Sequence, residues 1–305
     1  MSIIRLGTRR SALAQAQSQQ VADALSHASG RAVRLVMVTT EGDVSREPLS
    51  SLGGTGVFVS ALRDALVRGE VDIAVHSLKD LPTAAAPGLE TIAIPLRGDP
   101  RDALIARDGH TLATLPEGAR VGTGSPRRAA QLMALRPDLS VVDIRGNIDT
   151  RLAFVTGGTL DAVVLARAGL ERLDRLAAVT ESIDPSLMLP APGQGALAVE
   201  VRTDALDDDL QASLRSLDDG ATRAAVTAER AVLSALEAGC SAPVGALAVV
   251  DEPGFHEPEL ALEALVAATD GSSVTRLSIT APLSDADAAG RQLAARLLGA
   301  GIVVS

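Results

Sequence analysis

The stretch VDIAVHSLKDLPT, residues 71–83, organises the fold that we predict for this chain. Residues 71–75 form a short apolar run that ends at the polar pair His76 and Ser77. A run of this length without polar alternation is typical of a buried strand in a parallel sheet. Open α/β sheets bind ligands beyond the carboxyl ends of their strands. The polar residues after this strand are therefore our first site candidates: Ser77, Lys79 and Asp80.

Two of these candidates have plainer interpretations. Lys79 is the only lysine, since the other 27 of the 28 basic residues are arginine. A general bias toward arginine accounts for that count, but not for a lysine that survives beside an aspartate here. A lone aspartate such as Asp80 is more often a cap or a residue of a solvated turn. On this stretch alone, both interpretations of Asp80 stay open.

Composition restricts the class of protein. The chain has 305 residues, 47% of them hydrophobic, which is enough for about two to three packed domains. It contains no Trp or Tyr, only three Phe, and carries a net charge of −10. Base stacking needs aromatic side chains and phosphate binding needs positive charge, so we expect no nucleic-acid partner.

Cysteine, histidine and hydrophobic runs restrict metal chemistry and compartment. Cys240 is the only cysteine, which excludes a disulfide within the chain, and the four histidines lack metal-ligand spacing. We therefore expect no metal site. No N-terminal stretch resembles a signal peptide, and no run approaches the ~18 apolar residues of a membrane span. We expect a cytoplasmic protein without a membrane partner.

The first part of the chain alternates strands with helices, which indicates a parallel α/β sheet. Ser11 is expected to cap a helix that runs to about residue 26, and a second helix is expected to start at Ser60. Residues 39–56 form a polar, glycine-rich loop whose length is typical of functional segments. The strands are predicted at residues 3–7, 32–38 and 71–75.

A second set of strands and helices resembles the first. Residues 69–75 align with residues 158–164, and the pairs Gly7-Thr8 and Gly122-Thr123 each end a strand before an arginine-bearing helix. This internal likeness predicts two related α/β lobes that face each other across a cleft. The strands of the second set are predicted at residues 120–122, 141–144 and 162–165.

Local signals place the remaining elements. Ser125, followed by a proline, and Asn147 are each expected to cap a helix. Residues 196–201 read as a strand that crosses back to the first lobe, and residues 203–220 as an acidic surface segment. A helix over residues 222–238, expected to end at Gly239 as C′ residue, precedes Cys240.

The end of the chain alternates like strands, from Val244, over 259–266 and over 274–279, and closes with a helix over residues 285–298. This pattern predicts a small α+β domain after the two lobes. The fold class is therefore α/β, with two lobes and a C-terminal α+β domain. The predicted domains are residues 1–96 with 196–216, residues 97–195, and residues 217–305.

Arginines gather where strands end and helices begin. Six arginines but only three acidic residues lie between positions 120 and 151 of a chain that is acidic overall. Helix N-termini attract anions, and arginine binds carboxylate or phosphate with two parallel hydrogen bonds. Each arginine alone is more simply a partner in a surface ion pair, but as a group they favour a basic cleft for a small polyanion. The arginines concerned are Arg9, Arg10, Arg127, Arg128, Arg145 and Arg151.

Absent sequence motifs restrict the nature of the anion and the role of Cys240. No P-loop GxxxxGK[ST] or dinucleotide GxGxxG motif occurs where the pattern requires one, so carboxylates are the better ligands. Cys240 sits on a loop rich in Gly, Ser and Pro, without a histidine near it in sequence. An inert buried thiol is one interpretation of Cys240. Of the two functional roles, a covalent attachment point fits it better than a protease nucleophile.

With these motifs in view, the chain resembles the porphobilinogen deaminase family, also called hydroxymethylbilane synthases, over essentially its whole length. Nine motifs occur in the family's order. They are GTRRSALAQAQ at 7–17, GGTGVF at 53–58, VHSLKDLPT at 75–83, RGDPRDAL at 97–104, VGTGSPRR at 121–128, RGNIDTRL at 145–152, AGLERL at 168–173, LPAPGQGALAVE at 189–200 and AERAVLSALEAGCSAPVG at 228–245.

The resemblance implies two lobes like those of periplasmic binding proteins and a third domain. It also implies a dipyrromethane cofactor joined by a thioether to Cys240. On that primer the family joins four porphobilinogen molecules head to tail, releases ammonia at each step, and frees a linear tetrapyrrole by hydrolysis. It implies a monomer whose partner is the small molecule porphobilinogen.

The resemblance also implies roles for individual residues. Asp80 matches the family's carboxylate that stabilises the positive charge formed as ammonia leaves, and Lys79 is taken as catalytic with it. Phe58, at the base of loop 39–56, is counted with the substrate-binding residues. Ser51 and Thr55 stand where some members have lysines, which leaves carboxylate contacts from that loop in doubt. The other implied cofactor contacts are Ser77, Thr123, Ser125, Arg127, Arg128 and Arg145, and the other substrate contacts are Arg9, Ser11, Arg151, Arg172 and Gln194.

A two-lobed receptor for a carboxylated small molecule is the alternative from another functional class. A receptor would need export and would have no use for a third domain with Cys240. Two substitutions separate the enzyme from the receptor. A cofactor that still attaches normally in a Cys240→Ser variant would contradict the role of Cys240 as its anchor. Normal turnover in an Asp80→Asn variant would contradict the catalytic role of Asp80.

Overall fold

The computed structural model describes residues 3–38, 57–238, 242–251 and 258–301. Within these ranges the strands are β1 (Ile4–Thr8), β2 (Val33–Met37), β3 (Ile73–Ser77), β4 (Leu89–Ala93), β5 (Asp102–Ala106), β6 (Arg120–Thr123), β7 (Ser140–Asp143), β8 (Ala162–Ala166), β9 (Glu181–Ser182), β10 (Leu197–Arg202), β11 (Val244–Asp251), β12 (Glu259–Ala267) and β13 (Val274–Pro282). The helices are α1 (Ala12–Ser29), α2 (Val57–Val67), α3 (Pro126–Leu135), α4 (Ile148–Thr156), α5 (Arg167–Arg172), α6 (Asp208–Arg215), α7 (Gly220–Ala235) and α8 (Ala286–Gly299).

The chain divides into two compact units. The first unit is Met1–Gly98 with Ala196–Arg223, and the second is Asp99–Gly195 with Ala224–Ser305. The second unit contains both the second five-stranded sheet and the C-terminal three-stranded sheet. The division into three domains stays a prediction.

The first unit is built on a five-stranded sheet in the order β2-β1-β3-β10-β4. One face of this sheet, with Ile73 and Val199, packs against α1 and α6 in a core of aliphatic side chains. The other face carries small residues such as Ala74, over which α2 places Leu62 and Leu66. The sheet is thus covered by helices on both faces, as its apolar strands require.

The second five-stranded sheet has the matching order β7-β6-β8-β5-β9. In the first sheet β1 pairs parallel with β3 so that Gly7 lies opposite Ala74. In the second, β6 pairs parallel with β8 so that Gly122 lies opposite Val163. The predicted internal likeness of the two lobes is therefore present in strand order and in register. That they face each other across a cleft stays a prediction.

Both sheets are mixed. The strands predicted for each lobe pair in parallel as expected, and each sheet also contains antiparallel strands whose direction was not predicted. In the first sheet β10 runs antiparallel to β3 and β4. In the second, β5 runs antiparallel to β8 and β9. The predicted crossing of the strand at 196–201 back to the first sheet is confirmed by β10. Strand direction here depends on long-range pairing, which local apolar patterns do not report.

The central strand β3 begins and ends two residues later than predicted. Val71 and Asp72 belong to the connection before it, where the Asp72 carboxylate accepts hydrogen bonds from Arg5. His76 lies inside the strand and is buried. Its Nε2 is 3.2 Å from the Glu200 carboxylate of the adjacent β10. A buried partner therefore allows a polar residue where the sequence pattern predicted the strand to end.

Other boundaries differ in smaller ways. Helix α1 begins after Ser11 as predicted, but it continues to Ser29 and ends at the left-handed Gly30. Helix α2 begins at Val57, three residues before the predicted start at Ser60. Strands β4, β5 and β9 and helices α5 and α6 were not predicted. The expected role of Gly239 and the loop at 39–56 lie outside the described residues.

The acidic segment after β10 lies largely at the surface, as predicted, but it also contains a helix that was not predicted. Helix α6 runs through it, and Asp207 caps that helix by accepting a hydrogen bond from the Leu210 backbone. Leu210 and Leu214 are buried against the first sheet. The spacing of four residues between these two leucines was the available signal.

The C-terminal part of the second unit is a sheet of β11, β12 and β13 in that order, entirely antiparallel. Helices α7 and α8 cover one face of it, with Val226, Leu233 and Leu236 of the predicted apolar face all buried. On the other face Leu247 and Leu265 pack with Ala130 of α3. This confirms the predicted α+β character of the end of the chain.

Candidate active site

Polar side chains follow the end of β3 in the first unit. A single 3₁₀ turn, Leu78–Asp80, begins where the strand stops, and the Leu78 amide donates to the Ala196 carbonyl. Ser77, Lys79 and Asp80 are each half-buried. Gln17 of α1 donates a hydrogen bond to the Ser77 hydroxyl over 2.8 Å. The predicted trio is thus presented together by one turn that the sheet holds in place.

The neighbouring strand end in the first unit carries Arg9 and Ser11. The Ser11 hydroxyl accepts a hydrogen bond from the Ala14 backbone over 3.3 Å, which confirms the predicted N-cap of α1. Thr8 is fully buried, and its hydroxyl donates to the Ala14 carbonyl. Strands β1 and β3 are direct neighbours, so both groups lie along one edge of the first sheet.

A buried polar group lies behind the end of β3. Arg63 of α2 binds both oxygens of the Glu200 carboxylate at 2.8–3.1 Å, and His76 lies 3.2 Å from the same carboxylate. Burial alone would raise the pKa of Glu200, but His76 and Arg63 outweigh it and lower that pKa. Glu200 therefore stays ionised and connects α2, β3 and β10.

A buried aspartate is the centre of the site in the second unit. Asp102, the first residue of β5, has no solvent exposure. Its carboxylate lies 2.8 Å from Nη2 of Arg127, 2.7 Å from Nη2 of Arg128 and 2.8 Å from Nε2 of Gln194. Burial would raise the pKa of Asp102, but the two arginine charges outweigh it and hold the pKa well below its usual range.

This buried group carries more positive than negative charge, because two guanidiniums share one carboxylate. Arg127 also donates to the Leu189 carbonyl over 2.6 Å, and Arg128 to the Val164 carbonyl over 3.2 Å. Burial lowers the pKa of Arg127. An anion close to these side chains would balance the surplus charge.

Arg145 and Arg151 add further positive charge beside Arg128. The Arg151 Nε donates to the Gly146 carbonyl over 2.9 Å. Burial lowers the pKa of Arg151, and the charges of Arg128 and Arg145 lower it further. A Cβ at Gly124 would lie 3.8 Å from Nη2 of Arg151. The Arg151 guanidinium therefore lies beside the turn between β6 and α3.

That turn carries Thr123 and Ser125. Ser125 is the N-cap residue of α3, as predicted, but its side chain makes no capping hydrogen bond. Its backbone amide instead donates to the Thr123 hydroxyl over 3.2 Å. The predicted cap is therefore right in position and wrong in mechanism, because the Ser125 hydroxyl is not used by the helix. The first turn of a helix attracts anions through its dipole.

Arg172 and Gln194 join the site through the loop before β10. Arg172 at the end of α5 donates to the Gly195 carbonyl over 2.7 Å, and burial lowers its pKa. Gln194 is buried, and its amide nitrogen donates to the Pro100 carbonyl over 2.7 Å as well as to Asp102. Its side chain thus contacts protein groups in the interior.

The predicted residues fall into two groups. Arg9, Ser11, Ser77, Lys79 and Asp80 lie together in the first unit. The second unit brings together Thr123, Ser125, Arg127, Arg128, Arg145, Arg151, Arg172 and Gln194. Cys240, loop 39–56 with Ser51 and Thr55, and the side chain of Phe58 lie outside the described residues.

Asp102 is the residue that sequence reasoning missed. It stands in the motif RGDPRDAL at 97–104, whose two arginines and two aspartates make any single role ambiguous. The apolar residues 103–106 that follow Asp102 were the available signal, because they place it at the start of a buried strand.

A polycarboxylate group fits the second unit's site. The buried cluster around Asp102 has a surplus positive charge. Burial lowers the pKa of Arg151 and of Arg172, and an adjacent anion would raise both pKa values again. The unused Ser125 hydroxyl adds a donor.

Among the described residues no group of three or more His, Cys, Asp or Glu side chains is placed to hold a metal. None of the described helices is long and apolar enough to cross a membrane.

Comparison with solved structures matches a double mutant of the VFT2 domain of Bordetella pertussis BvgS. Its TM-score is 0.41 at 17% identity, with coverage of 70% of this chain and 86% of that chain. A periplasmic substrate-binding protein from Coxiella burnetii gives a TM-score of 0.43 at 15% identity, with coverage of 70% and 91%.

Sequence relatives are much closer. The family model described as "Porphobilinogen deaminase, dipyromethane cofactor binding domain" matches residues 4–212, and "Porphobilinogen deaminase, C-terminal domain" matches residues 223–299. Porphobilinogen deaminase 1 of Streptomyces coelicolor is 58% identical and covers 98% of this chain and 95% of its own. The porphobilinogen deaminase of Mycobacterium tuberculosis is 57% identical, with coverage of 98% and 97%. This chain therefore belongs to the porphobilinogen deaminase family.

Proposed function

We propose that this chain is a hydroxymethylbilane synthase that joins four porphobilinogen molecules head to tail and releases one ammonia for each. The observation that carries the proposal is the buried arginine group around Asp102, in a chain about 57–58% identical to named porphobilinogen deaminases. Porphobilinogen carries an acetate and a propionate, so each unit added to the product adds two carboxylates.

The arginines bind those carboxylates. Arg128, Arg151 and Arg172 lie with Ser125 and Thr123 in the second unit, and Arg9 and Ser11 lie at a strand end in the first. A fork of two N–H donors matches a carboxylate, and burial strengthens the interaction. Arg127 and Gln194, which contact Asp102 and backbone carbonyls, act by holding Asp102 and the nearby backbone. Arg145, exposed near Arg151, supplies longer-range charge.

Asp80 carries out the electrostatic part of the chemistry. When ammonia leaves porphobilinogen, positive charge develops on the pyrrole, and an ionised carboxylate next to its N–H stabilises that charge. The 3₁₀ turn presents Asp80 beside Lys79 and three residues after the anchored Ser77. Lys79 and Ser77 bind substrate carboxylates or orient Asp80. Phe58 is assigned to the substrate-facing surface on the sequence motif alone.

Cys240 is the proposed attachment point of the dipyrromethane cofactor, through a thioether. When bound, this cofactor supplies the pyrrole carbon to which the first substrate unit is joined. The same arginines and hydroxyls of the second unit hold its carboxylates. We further propose three domains with boundaries near residues 96, 195 and 216, a monomeric state and a cytoplasmic location.

The experiment is to measure the intact mass of the purified protein and its colour reaction with acidic Ehrlich reagent. We expect a mass above the sequence value by two porphobilinogen units less two ammonias, a positive colour, and hydroxymethylbilane on addition of porphobilinogen. The Cys240→Ser variant, as the control, should have the unmodified mass. A loaded Cys240→Ser variant would overturn the attachment point. An unmodified wild type that stays inactive with porphobilinogen would overturn the function.

A further inference from the structure

The loop that carries Gln194 docks along the open edge of β11. Strand β11 is at the edge of its sheet, so alternate backbone N–H groups on its free side need partners other than β12. One of these, from Ala246, donates to the Pro190 carbonyl over 2.9 Å. The next, from Ala248, donates to Oε1 of Glu229 over 2.9 Å.

Glu229 joins this strand edge to the loop. Its second oxygen, Oε2, accepts a hydrogen bond from the Gly193 amide over 2.6 Å. Glu229 has no solvent exposure. Two N–H donors thus converge on one buried side chain, and a carboxylate, which has two acceptor oxygens and no hydrogen, satisfies both. Glutamine in the same place would turn an NH₂ group toward one of the donors.

The loop held by Glu229 is also the loop that holds the arginines. Gly193 and Gly195 have positive φ values of 74° and 88°, so the loop follows a path suited to glycine. Between them, Gln194 contacts Asp102 at 2.8 Å and Arg128 at 3.3 Å. The Gly195 carbonyl accepts the hydrogen bond from Arg172. A displacement of the Gly193 amide therefore moves contacts of both arginines.

We propose that Glu229 is a positioning residue for the reaction: it fixes the loop at 190–195 so that Arg128 and Arg172 are held ready for substrate carboxylates. The inference rests on the proposed function for its catalytic consequence, but not for the loop contact itself. Glu229 belongs to α7, the helix that precedes Cys240 in the sequence. The helix before the proposed cofactor cysteine thereby fixes the carboxylate-binding side chains.

The test compares Glu229→Gln with wild-type holoenzyme. We expect faster amide hydrogen exchange in the peptide covering residues 190–196 and a kcat/KM for porphobilinogen about 10-fold or more lower, because small displacements of positioning contacts cost this much. Intact mass should show the cofactor still attached. Glu263→Gln is the matched control. The Glu263 carboxylate binds Arg276, and Arg276 donates to the Ser186 and Pro185 carbonyls. Glu263 therefore also connects the C-terminal sheet to a loop, but not to the loop at 190–195. Its exchange at 190–196 and its kcat/KM should stay within about 2-fold of wild type.

The outcomes separate the loop role from the function. Unchanged exchange at 190–196 in Glu229→Gln would overturn the inference, as would faster exchange with wild-type kcat/KM. If Glu229→Gln does not fold, Glu229→Asp carries the test. That side chain is one methylene shorter and keeps the charge, so it should reach one amide only and give an intermediate defect. An inactive wild type would remove the proposed function, and the exchange comparison would then decide the loop contact alone.

Discussion

Two aspartates, Asp80 in the first unit and Asp102 in the second, lie in opposite surroundings. Asp80 is half-buried on a 3₁₀ turn, where a substrate can reach it. Asp102 is fully enclosed and binds two arginines and a glutamine. A carboxylate that contacts substrate needs access, and one that orients other side chains needs burial beside fixed partners. We therefore assign chemistry to Asp80 and positioning to Asp102.

Asp80→Asn should lower kcat by about 10²–10³-fold, the range for removal of one group that stabilises transition-state charge. The amide has the same shape as the carboxylate, so cofactor attachment and folding should be unaffected. Turnover of porphobilinogen and the intact mass of the variant check both expectations. Asp64→Asn makes the same change at an exposed position of α2 and should leave turnover unchanged. Normal kcat in Asp80→Asn would remove the assigned role.

Asp102→Asn should destabilise the protein by roughly 3–5 kcal/mol, the cost of removing one partner from a buried ion pair. Arg127 and Arg128 would remain in the interior without a counter-charge. Urea unfolding followed by circular dichroism measures the effect. Asp287→Asn, in an exposed helical ion pair with Arg291, is the control and should cost less than about 0.5 kcal/mol. Equal effects of the two substitutions would contradict the assignment.

At the scale of elements, two helices of the second unit begin in different ways. The Asn147 side chain accepts a hydrogen bond from the Thr150 backbone over 2.8 Å and so caps α4, which carries Arg151. Ser125 occupies the same position in α3 without a side-chain bond to the helix. One cap stabilises its helix, and the other leaves a hydroxyl for a ligand.

Asn147→Ala should therefore cost about 1 kcal/mol of unfolding free energy, the usual cost of a lost N-cap. Ser125→Ala, which removes no capping bond, should change that free energy by only a few tenths of a kcal/mol and should raise the KM for porphobilinogen. Urea unfolding and initial-rate kinetics on both variants make the comparison. A large stability loss in Ser125→Ala with an unchanged KM would mean that its hydroxyl serves the helix after all.

Elements with strong local signals were predictable. Ser11 and Asn147 cap their helices as expected, and the alignment of residues 69–75 with 158–164 places β3 and β8 at equivalent positions. The late end of β3 was not predictable, because it depends on the pairing of His76 with Glu200, which lies 124 residues further along the chain. Long-range pairing also determines the antiparallel strands β5 and β10.

At the scale of the whole molecule, the sequence predicted the type of site better than its internal arrangement. Family motifs and the local excess of arginine predict which residues bind carboxylates. They do not tell which arginines meet a ligand and which, like Arg127, bind an internal carbonyl, because that depends on contacts between the sheet, α3 and the loop before β10. The roles of Asp102 and Glu229 likewise exist only in the folded chain.

Buried and partly buried ion pairs in both units make the stability of the protein sensitive to acid. Burial would raise the pKa of Asp72, Asp99, Asp102 and Glu200, but their arginine partners, with His76 for Glu200, outweigh burial, and all four pKa values are lowered. A carboxyl group with a lowered folded-state pKa stabilises the fold above its unfolded-state pKa, 3.8 for Asp and 4.5 for Glu. That stabilisation is lost as the pH falls below those values toward the folded-state pKa.

The urea midpoint of the wild type should consequently stay nearly constant from pH 7 to pH 5 and fall steadily below about pH 4. In Asp102→Asn the midpoint should start lower and fall less steeply, since one of the carboxylates that bind the proton on unfolding is missing. Unfolding curves at pH 7, 5, 4 and 3 in constant salt measure both slopes. A wild-type midpoint that rises on acidification would contradict the lowered pKa values. Identical slopes for the two proteins would show that Asp102 takes no part in the acid response, because the free energy it contributes must disappear as its carboxylate is protonated.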